Sequence, residues 1–154
     1  MKIIHIITGL SNGGAEAALF RLVTCDGNNY HEVISIMDAG YYGERLINSG
    51  VQVYTLNMSR GRVTVSGIVK LYKLLKMIQP DVVQTWMYHA DLIGGISARL
   101  AGIRSVIWGI RGPFNRKLTS LQTKVTIRYV LYYQSGSQGL LLVIHSMQQK
   151  FMKM

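Results

Sequence analysis

The chain has 154 residues, 49% of them apolar, with 16 glycines and a formal net charge of +10. That length gives one domain with room for a true core, and the composition excludes a disordered or fibrous chain. The single cysteine excludes an internal disulfide and a multi-cysteine zinc site, in keeping with a reducing, cytoplasmic setting. No apolar run approaches the ~18 residues of a membrane span, and the short run after Lys2 is too brief for a signal peptide.

The first apolar run, KIIHIIT at 2–8, reads as a strand. It passes directly into Thr8-Gly9-Leu10-Ser11-Asn12-Gly13-Gly14-Ala15-Glu16, where a helical pattern opens and continues to about 26. Strand, glycine turn and helix start make a phosphate-sized anion site, because the free N–H groups of the first turn point outward. Cys25 is expected on the apolar side of this helix, as a buried small side chain. Further β-branched runs follow at 32–37, 51–56, 81–86 and 104–110, with a weaker one at 140–144. Helical patterns lie between them near 41–49, 66–79, 90–102 and 117–133. Gly50, Gln79-Pro80-Asp81 and Ala101-Gly102 supply the stops.

Strands alternating with helices predict an α/β fold: a Rossmann-like, mostly parallel sheet with helices on both faces. The runs are apolar throughout, as strands covered on both sides should be. The segment from Gly61 to Lys76 is basic and amphipathic, with Ile68, Leu71, Leu75 and Ile78 at helical spacing. A helix covering the sheet is favoured there over one lying on a membrane. The domain is expected over 1–146, with 147–154 starting a helix that is cut short. Trp86, Trp108 and the Met-rich tail are candidates for exposed apolar surface.

All seven acidic residues lie at or before Asp91, so the segment from Leu92 onward is purely basic. Such a half implies an anionic partner; the blander readings are a solvated face, or a surface that meets an acidic second domain. Nucleic acid is not expected, since the cations are not interleaved with aromatics in a recognisable module. The aromatic trio Tyr129, Tyr132 and Tyr133 reads as helix packing. The four histidines, His5, His31, His89 and His145, lack metal-ligand spacing, and His5 reads as a core or interface histidine.

In open parallel sheets ligands bind beyond the carboxyl ends of the strands. Gly9, Ser11, Asn12, Gly13, Gly14 and Glu16 collect there after the first strand, and Asp38 and Gly40 after the second. Trp86, Tyr88 and His89 follow the fourth, and Gly109, Arg111 and Asn115 the fifth. A glycine loop, a histidine and an arginine on one rim suit a phosphorylated or sugar ligand. The blander roles are a tight turn for the glycines, a dipole partner for Glu16, and a helix cap for His89.

Two stretches carry a resemblance. MKIIHIITGLSNGGAEAALFRLV resembles the opening of family 4 glycosyltransferases, whose GT-B architecture faces two Rossmann-like domains across a cleft. PDVVQTWMYHADLIGGISARLAGIRSVIWGIRG, at 80–112, resembles the region from strand four to strand five in bacterial members that build cell-surface polysaccharides. The likeness runs from Met1 to about Arg116. It implies the N-terminal, acceptor-binding half of an enzyme that moves a sugar from a nucleotide-diphosphate sugar to a glycan or lipid-linked acceptor. The nucleotide sugar is then a donor substrate, and no cofactor is implied. Asn12, Gly13, Gly14, His89 and Arg111 would line the cleft. Many relatives carry a histidine after strand five, where this chain has Gly109-Ile110-Arg111, so Arg111 is expected only as an anion or acceptor contact and no catalytic residue is assigned. The donor-holding domain with its Glu-x7-Glu pair is missing from these 154 residues, whose glutamates are Glu16, Glu32 and Glu44. Activity from this chain alone is therefore not expected, and a separate C-terminal half is an expected partner.

Two other readings stay open. One is a non-catalytic Rossmann-like module on an anionic surface, such as the cytoplasmic face of an inner membrane. The other is a short-chain dehydrogenase-like nicotinamide binder, for which Thr8-Gly9-x-x-x-Gly13, Asp38 and Tyr72-x-x-x-Lys76 speak. Ala15 in place of the third glycine and the early position of the Tyr/Lys pair speak against it.

Overall fold

A computed structural model describes residues 1–109 and the strand at 141–143. In chain order the elements are β1 (Lys2–Ile7), α1 (Gly14–Cys25), β2 (Tyr30–Ser35), α2 (Gly40–Asn48), β3 (Gln52–Thr55), α3 (Val65–Ile78), β4 (Val82–Trp86), α4 (Tyr88–Leu100), β5 (Val106–Gly109) and β6 (Leu141–Val143). The helix expected at 117–133, its tyrosines, His145 and the tail at 147–154 lie outside the described residues.

The strands pair in parallel in the order β3-β2-β1-β4-β5-β6. The fold is thus α/β and Rossmann-like. Alternating side chains along the strands feed two separate cores. Ile4, Ile6, Ile34, Val83, Val106 and Trp108 pack with Leu71 and Leu75 of α3 and Ala90 and Ile93 of α4. Ile7, Val33 and Trp86 face the other way, onto Leu19 and Val23 of α1 and Leu46 of α2. Both faces are therefore covered, which is why the strands read as unbroken apolar runs.

Local chemistry sets the helix ends. Thr64 caps α3, its Oγ1 accepting from the Gly67 amide at 3.2 Å. Gln79 closes the same helix in the left-handed conformation (φ 46°), donating its N–H to the Leu75 carbonyl, and Pro80 follows. α4 lies close on the sheet through Gly94 and Gly95. A Cβ at Gly94 would stand 2.9 Å from the Thr85 methyl, and one at Gly95 would stand 2.7 Å from the Trp108 ring.

Three expectations change. Cys25 is exposed: the buried stripe of α1 runs through Glu16, Leu19 and Val23, and two further residues turn the chain to the opposite side. Trp86 and Trp108 are buried, at 2% and 4% exposure, one on each face of the sheet. β2 ends at Ser35, so Asp38 lies in the following loop and does not close the strand.

Candidate functional site

The strand order reverses between β1 and β4. α1 leaves β1 toward one face and α4 leaves β4 toward the other, so the two connecting loops part at a switch point, where open parallel sheets bind their ligands. Register places Ile7 beside Trp86, which starts both loops from adjacent strand ends. Asn12, Gly13 and Gly14 follow β1 at this switch point, and His89 stands in the first turn of α4, just after β4. Arg111 and Asn115 lie outside the described residues.

The β1–α1 loop is held from below and behind. Leu10 is fully buried. The Thr8 and Leu10 carbonyls accept from the Met37 and Tyr42 amides at 3.0 and 2.8 Å. Gly40 makes that approach possible: its φ is +45°, and a Cβ there would stand 2.6 Å from the Leu10 carbonyl oxygen. None of Gly9, Gly13 and Gly14 uses the left-handed region, so what these loop glycines supply is space.

That space differs between neighbours. Gly13 is the N-cap of α1 with no side-chain capping bond. The Glu16 carboxylate folds back over it, close enough to collide with any Cβ at Gly13, and accepts from Ser11 Oγ at 3.2 Å. Glu16 is only 6% exposed. The start of α1 thus carries its own anion, in line with the dipole. Gly14 is exposed, and nothing stands within 4 Å of where its Cβ would be. The loop is narrower than the expected phosphate cradle: open space over Gly14, bordered by a carboxylate that accepts hydrogen bonds from hydroxyls.

The β4–α4 loop is a single residue. Met87 sits at φ 73°, ψ 153°, a conformation that strains a side-chain-bearing residue, and it is the N-cap of α4. Strain of this kind clusters at functional sites and persists only where the surrounding structure over-determines it. The helix begins at Tyr88, two residues earlier than the sequence reading, so His89 stands in its first turn and is exposed. A capping role for His89 is thereby removed.

Beneath His89, Asp91 is fully buried. Its Oδ1 accepts from Thr85 Oγ1 at 2.6 Å, and its Oδ2 is among the buried polar atoms without a hydrogen-bond partner. Burial pushes its pKa up to about 7, against smaller downward pulls from the Thr85 hydroxyl and the Gly109 amide. With its pKa raised into the neutral range, Asp91 opposes an outside anion at the start of α4 less than an ordinary carboxylate would.

On the opposite face a polar chain runs from the sheet interior to the surface. Trp86 Nε1 donates to His5 Nδ1 at 3.3 Å, His5 Nε2 meets His31 Nδ1 at 3.0 Å, and His31 Nε2 meets an Asp26 oxygen at 3.1 Å. The indole can only donate, so His5 accepts at Nδ1 and carries its proton at Nε2. His31 then accepts at Nδ1 and donates to Asp26, with both rings neutral. Burial, followed by the repulsion that a protonated His31 would exert, pushes the His5 pKa down to about 3. Asp26 is held below the usual carboxylate range by the Asn29 side chain, the Asn28 amide and His31. The sequence marked His5 as a core residue but not this chain, whose members are brought together by sheet register. Among the described residues no three His, Cys, Asp or Glu side chains form a metal cluster.

Solved structures resemble this arrangement. The UDP-glucose complex of HepE from Anabaena superposes with a TM-score of 0.68 at 18% identity, over 94% of this chain and 43% of that one. MurG from Acinetobacter baumannii gives 0.58 at 14% identity, over 82% and 38%. UDP-GlcNAc 2-epimerase from Neisseria meningitidis, bound to UDP-GlcNAc, gives 0.53 at 16% identity, over 93% and 46%. No family model matches the sequence, and no curated protein does. The class defined by the fold is therefore a GT-B-like, Rossmann-type α/β domain. The chain spans less than half the length of each of these relatives in structure.

Proposed function

We propose that this chain is the N-terminal, acceptor-side half of a family 4 glycosyltransferase that uses a nucleotide-diphosphate sugar in cell-surface polysaccharide or glycolipid synthesis. The observation that carries the reading is the unfilled space over Gly14 at the start of α1, at the switch point between β1 and β4. The GT-B-like fold supports it, because HepE holds UDP-glucose and the epimerase holds UDP-GlcNAc.

In this reading Gly13, Gly14 and Asn12 form one wall of the cleft. The Glu16 carboxylate accepts from acceptor hydroxyls that reach over Gly14. The exposed His89 and the first amides of α4 face the donor diphosphate, and the raised pKa of Asp91 lessens the buried like charge beside that anion. Arg111 adds an anion or acceptor contact from beyond β5. A second domain, on the same chain or a separate one, holds the nucleotide and brings the Glu-x7-Glu pair. The donor is a substrate, so no cofactor is required. The working place is the cytoplasmic side, at a membrane that carries lipid-linked acceptor.

Amide chemical shifts of the 15N-labelled chain, titrated with UDP-glucose and in parallel with NADH, test this. The expected result is weak binding of the nucleotide sugar centred on Gly13, Gly14, Tyr88 and His89, with no comparable response to NADH. Shifts from NADH that extend to Asp38 would favour the nicotinamide reading. Turnover of a nucleotide sugar by the 154 residues alone would refute the division of labour.

A further inference from the structure

Where β4, β5 and the start of α4 meet, a single hydrogen has two claimants. Thr85 is fully buried, and its hydroxyl has one hydrogen to give. Its Oγ1 lies 2.6 Å from Asp91 Oδ1 and 3.3 Å from the Ile107 carbonyl oxygen of β5. When Asp91 is a carboxylate, that hydrogen goes to the anion and the Ile107 carbonyl forgoes it. When Asp91 carries a proton, the acid donates to Thr85 Oγ1, and Thr85 passes its own hydrogen to Ile107. Only the second arrangement serves all three groups. Asp91 Oδ2, buried without a hydrogen-bond partner, favours it too, since an unpaired acid carbonyl costs less in the core than an unpaired anionic oxygen. The strand ends are in close contact here. A Cβ at Gly109 would stand 2.8 Å from the Thr85 carbonyl oxygen, and the strained Met87 donates its N–H to the Gly109 carbonyl at a long 3.4 Å.

From this geometry we infer that a proton on Asp91 is the latch of the switch point: it joins Asp91, Thr85 and Ile107 into one hydrogen-bonded chain across α4, β4 and β5, and its loss opens the seam around Met87 and Gly109 to water. Burial supports the latch by pushing the Asp91 pKa up to about 7, and no charged side chain among the described residues adds to that shift. β4 and β5 carry no titratable group. On β1, His5 meets Trp86 and His31 on the opposite face, and Lys2 pairs with Glu32. On α4 itself Tyr88 is half-buried, His89 is exposed and Arg99 stands in the last turn. On α3, which packs against α4, Lys70, Lys73 and Lys76 are exposed and Tyr72 is half-buried.

The sign of the effect follows from linkage. An opened seam returns Asp91 to its ordinary value of 3.8, while the closed seam holds it at about 7. Between these values the closed form binds the extra proton. Opening must therefore gain about tenfold for each pH unit up to about 7 and level off above it. Met87 and its neighbour His89 stand on the moving side, so pH would set how firmly the β4–α4 loop is held for a ligand. Only this last consequence rests on the proposed function; the latch does not.

Hydrogen exchange of the full 15N-labelled chain, with no nucleotide present, tests it from about pH 5 to about pH 8. The 13C shift of the Asp91 carboxyl reports its proton directly, and its midpoint should fall near 7. Protection factors at the Met87, Asp91 and Gly109 amides should drop about tenfold per pH unit up to that midpoint and then stay level. Amides of β2 and α1 should not share this slope. Asp91→Asn keeps a donor for Thr85 Oγ1 and cannot ionise, so it should hold these amides protected with no dependence on pH. Thr85→Ser keeps the hydroxyl and should keep the slope. Thr85→Val removes the middle of the chain and should lower protection at the three amides about tenfold even near pH 5. The wild-type profile decides the matter even where a variant fails to fold. A carboxyl carbon that titrates in the ordinary carboxylate range would overturn the latch. So would protection at Met87 and Gly109 that ignores the Asp91 titration, or one slope shared by the whole sheet, which would make the opening global. None of these outcomes depends on whether UDP-glucose binds.

Discussion

On the α1/α2 face of the sheet the buried titratable group is an imidazole; on the α3/α4 face it is a carboxyl. His5 is kept neutral by a pKa pushed down to about 3, and the Asp91 pKa is pushed up to about 7, well above the usual carboxylate range. His5 bonds to Trp86, the last residue of β4, and Asp91 bonds to its neighbour Thr85. The strand that ends at the switch point is thus gripped from both sides by side chains that cannot afford a charge there. Burial is the largest cause in both, and it moves the two chemistries in opposite directions because in each it disfavours the charged form.

The two groups must then pull stability in opposite directions with pH. His5 titrates near 6.5 when unfolded, so its contribution is present above that pH and is lost as pH falls toward 3. Asp91 titrates near 3.8 when unfolded, so its contribution is present below that pH and is lost as pH rises toward 7. Between those unfolded values the two slopes oppose, each about 1.4 kcal/mol per pH unit. From these two groups the wild-type chain should show a nearly level profile there. Asp91→Asn leaves His5 unopposed, and unfolding free energy from urea titrations should climb by about 3–4 kcal/mol across the window. His5→Leu should tilt the profile the other way by a similar amount. A level profile in both variants would mean that neither side chain is held neutral by burial.

A smaller effect separates the two loops of the switch point. The β1–α1 loop depends on Gly40, a residue of the neighbouring connection, while the β4–α4 loop holds its strain in Met87 itself. Gly40→Ala meets both a positive φ and the Leu10 carbonyl oxygen, and should cost about 2–3 kcal/mol in urea unfolding. Its damage should centre on residues 8–14, visible as lost amide protection there while β4 and α4 keep theirs. Uniform loss across the sheet would show that Gly40 supports the whole fold and not this loop in particular.

Much of this architecture was legible from local pattern. The β-branched runs and their stops give the alternation of β1 to β5 with α1 to α4, and Gly13-Gly14 before a helical pattern gives the start of α1. Elements whose partners lie far away in sequence were not legible. His5 and His31 are 26 positions apart and meet only through the β1–β2 register. The strain falls on Met87, a residue type that announces no turn. Glu16 reads as a dipole partner, but its folding back over Gly13 depends on Ser11 and on burial that no spacing reveals. The helical periodicity around Cys25 was real, and the error lay in which side of the helix faces the sheet. The role of the glycine loop rested on resemblance at 1–23 and 80–112, while the architecture at the fold level is shared by an epimerase and by MurG.

The smallest effect is also the most discriminating. Gly14 occupies the first turn of α1 with helical backbone and no neighbour within 4 Å of a Cβ. Nothing in the chain's own packing asks for glycine there, and alanine should stabilise the helix by about 0.5–1 kcal/mol. At Gly13, by contrast, a Cβ would meet the Glu16 carboxylate, so Gly13→Ala should destabilise. If the space over Gly14 exists for a ligand, Gly14→Ala must raise the midpoint of urea unfolding while weakening the UDP-glucose response at Tyr88 and His89 severalfold. A variant that is more stable and responds to the nucleotide sugar as well as the wild type would leave the open space at Gly14 without a functional reason, and would move the binding wall to the β4–α4 side of the switch point.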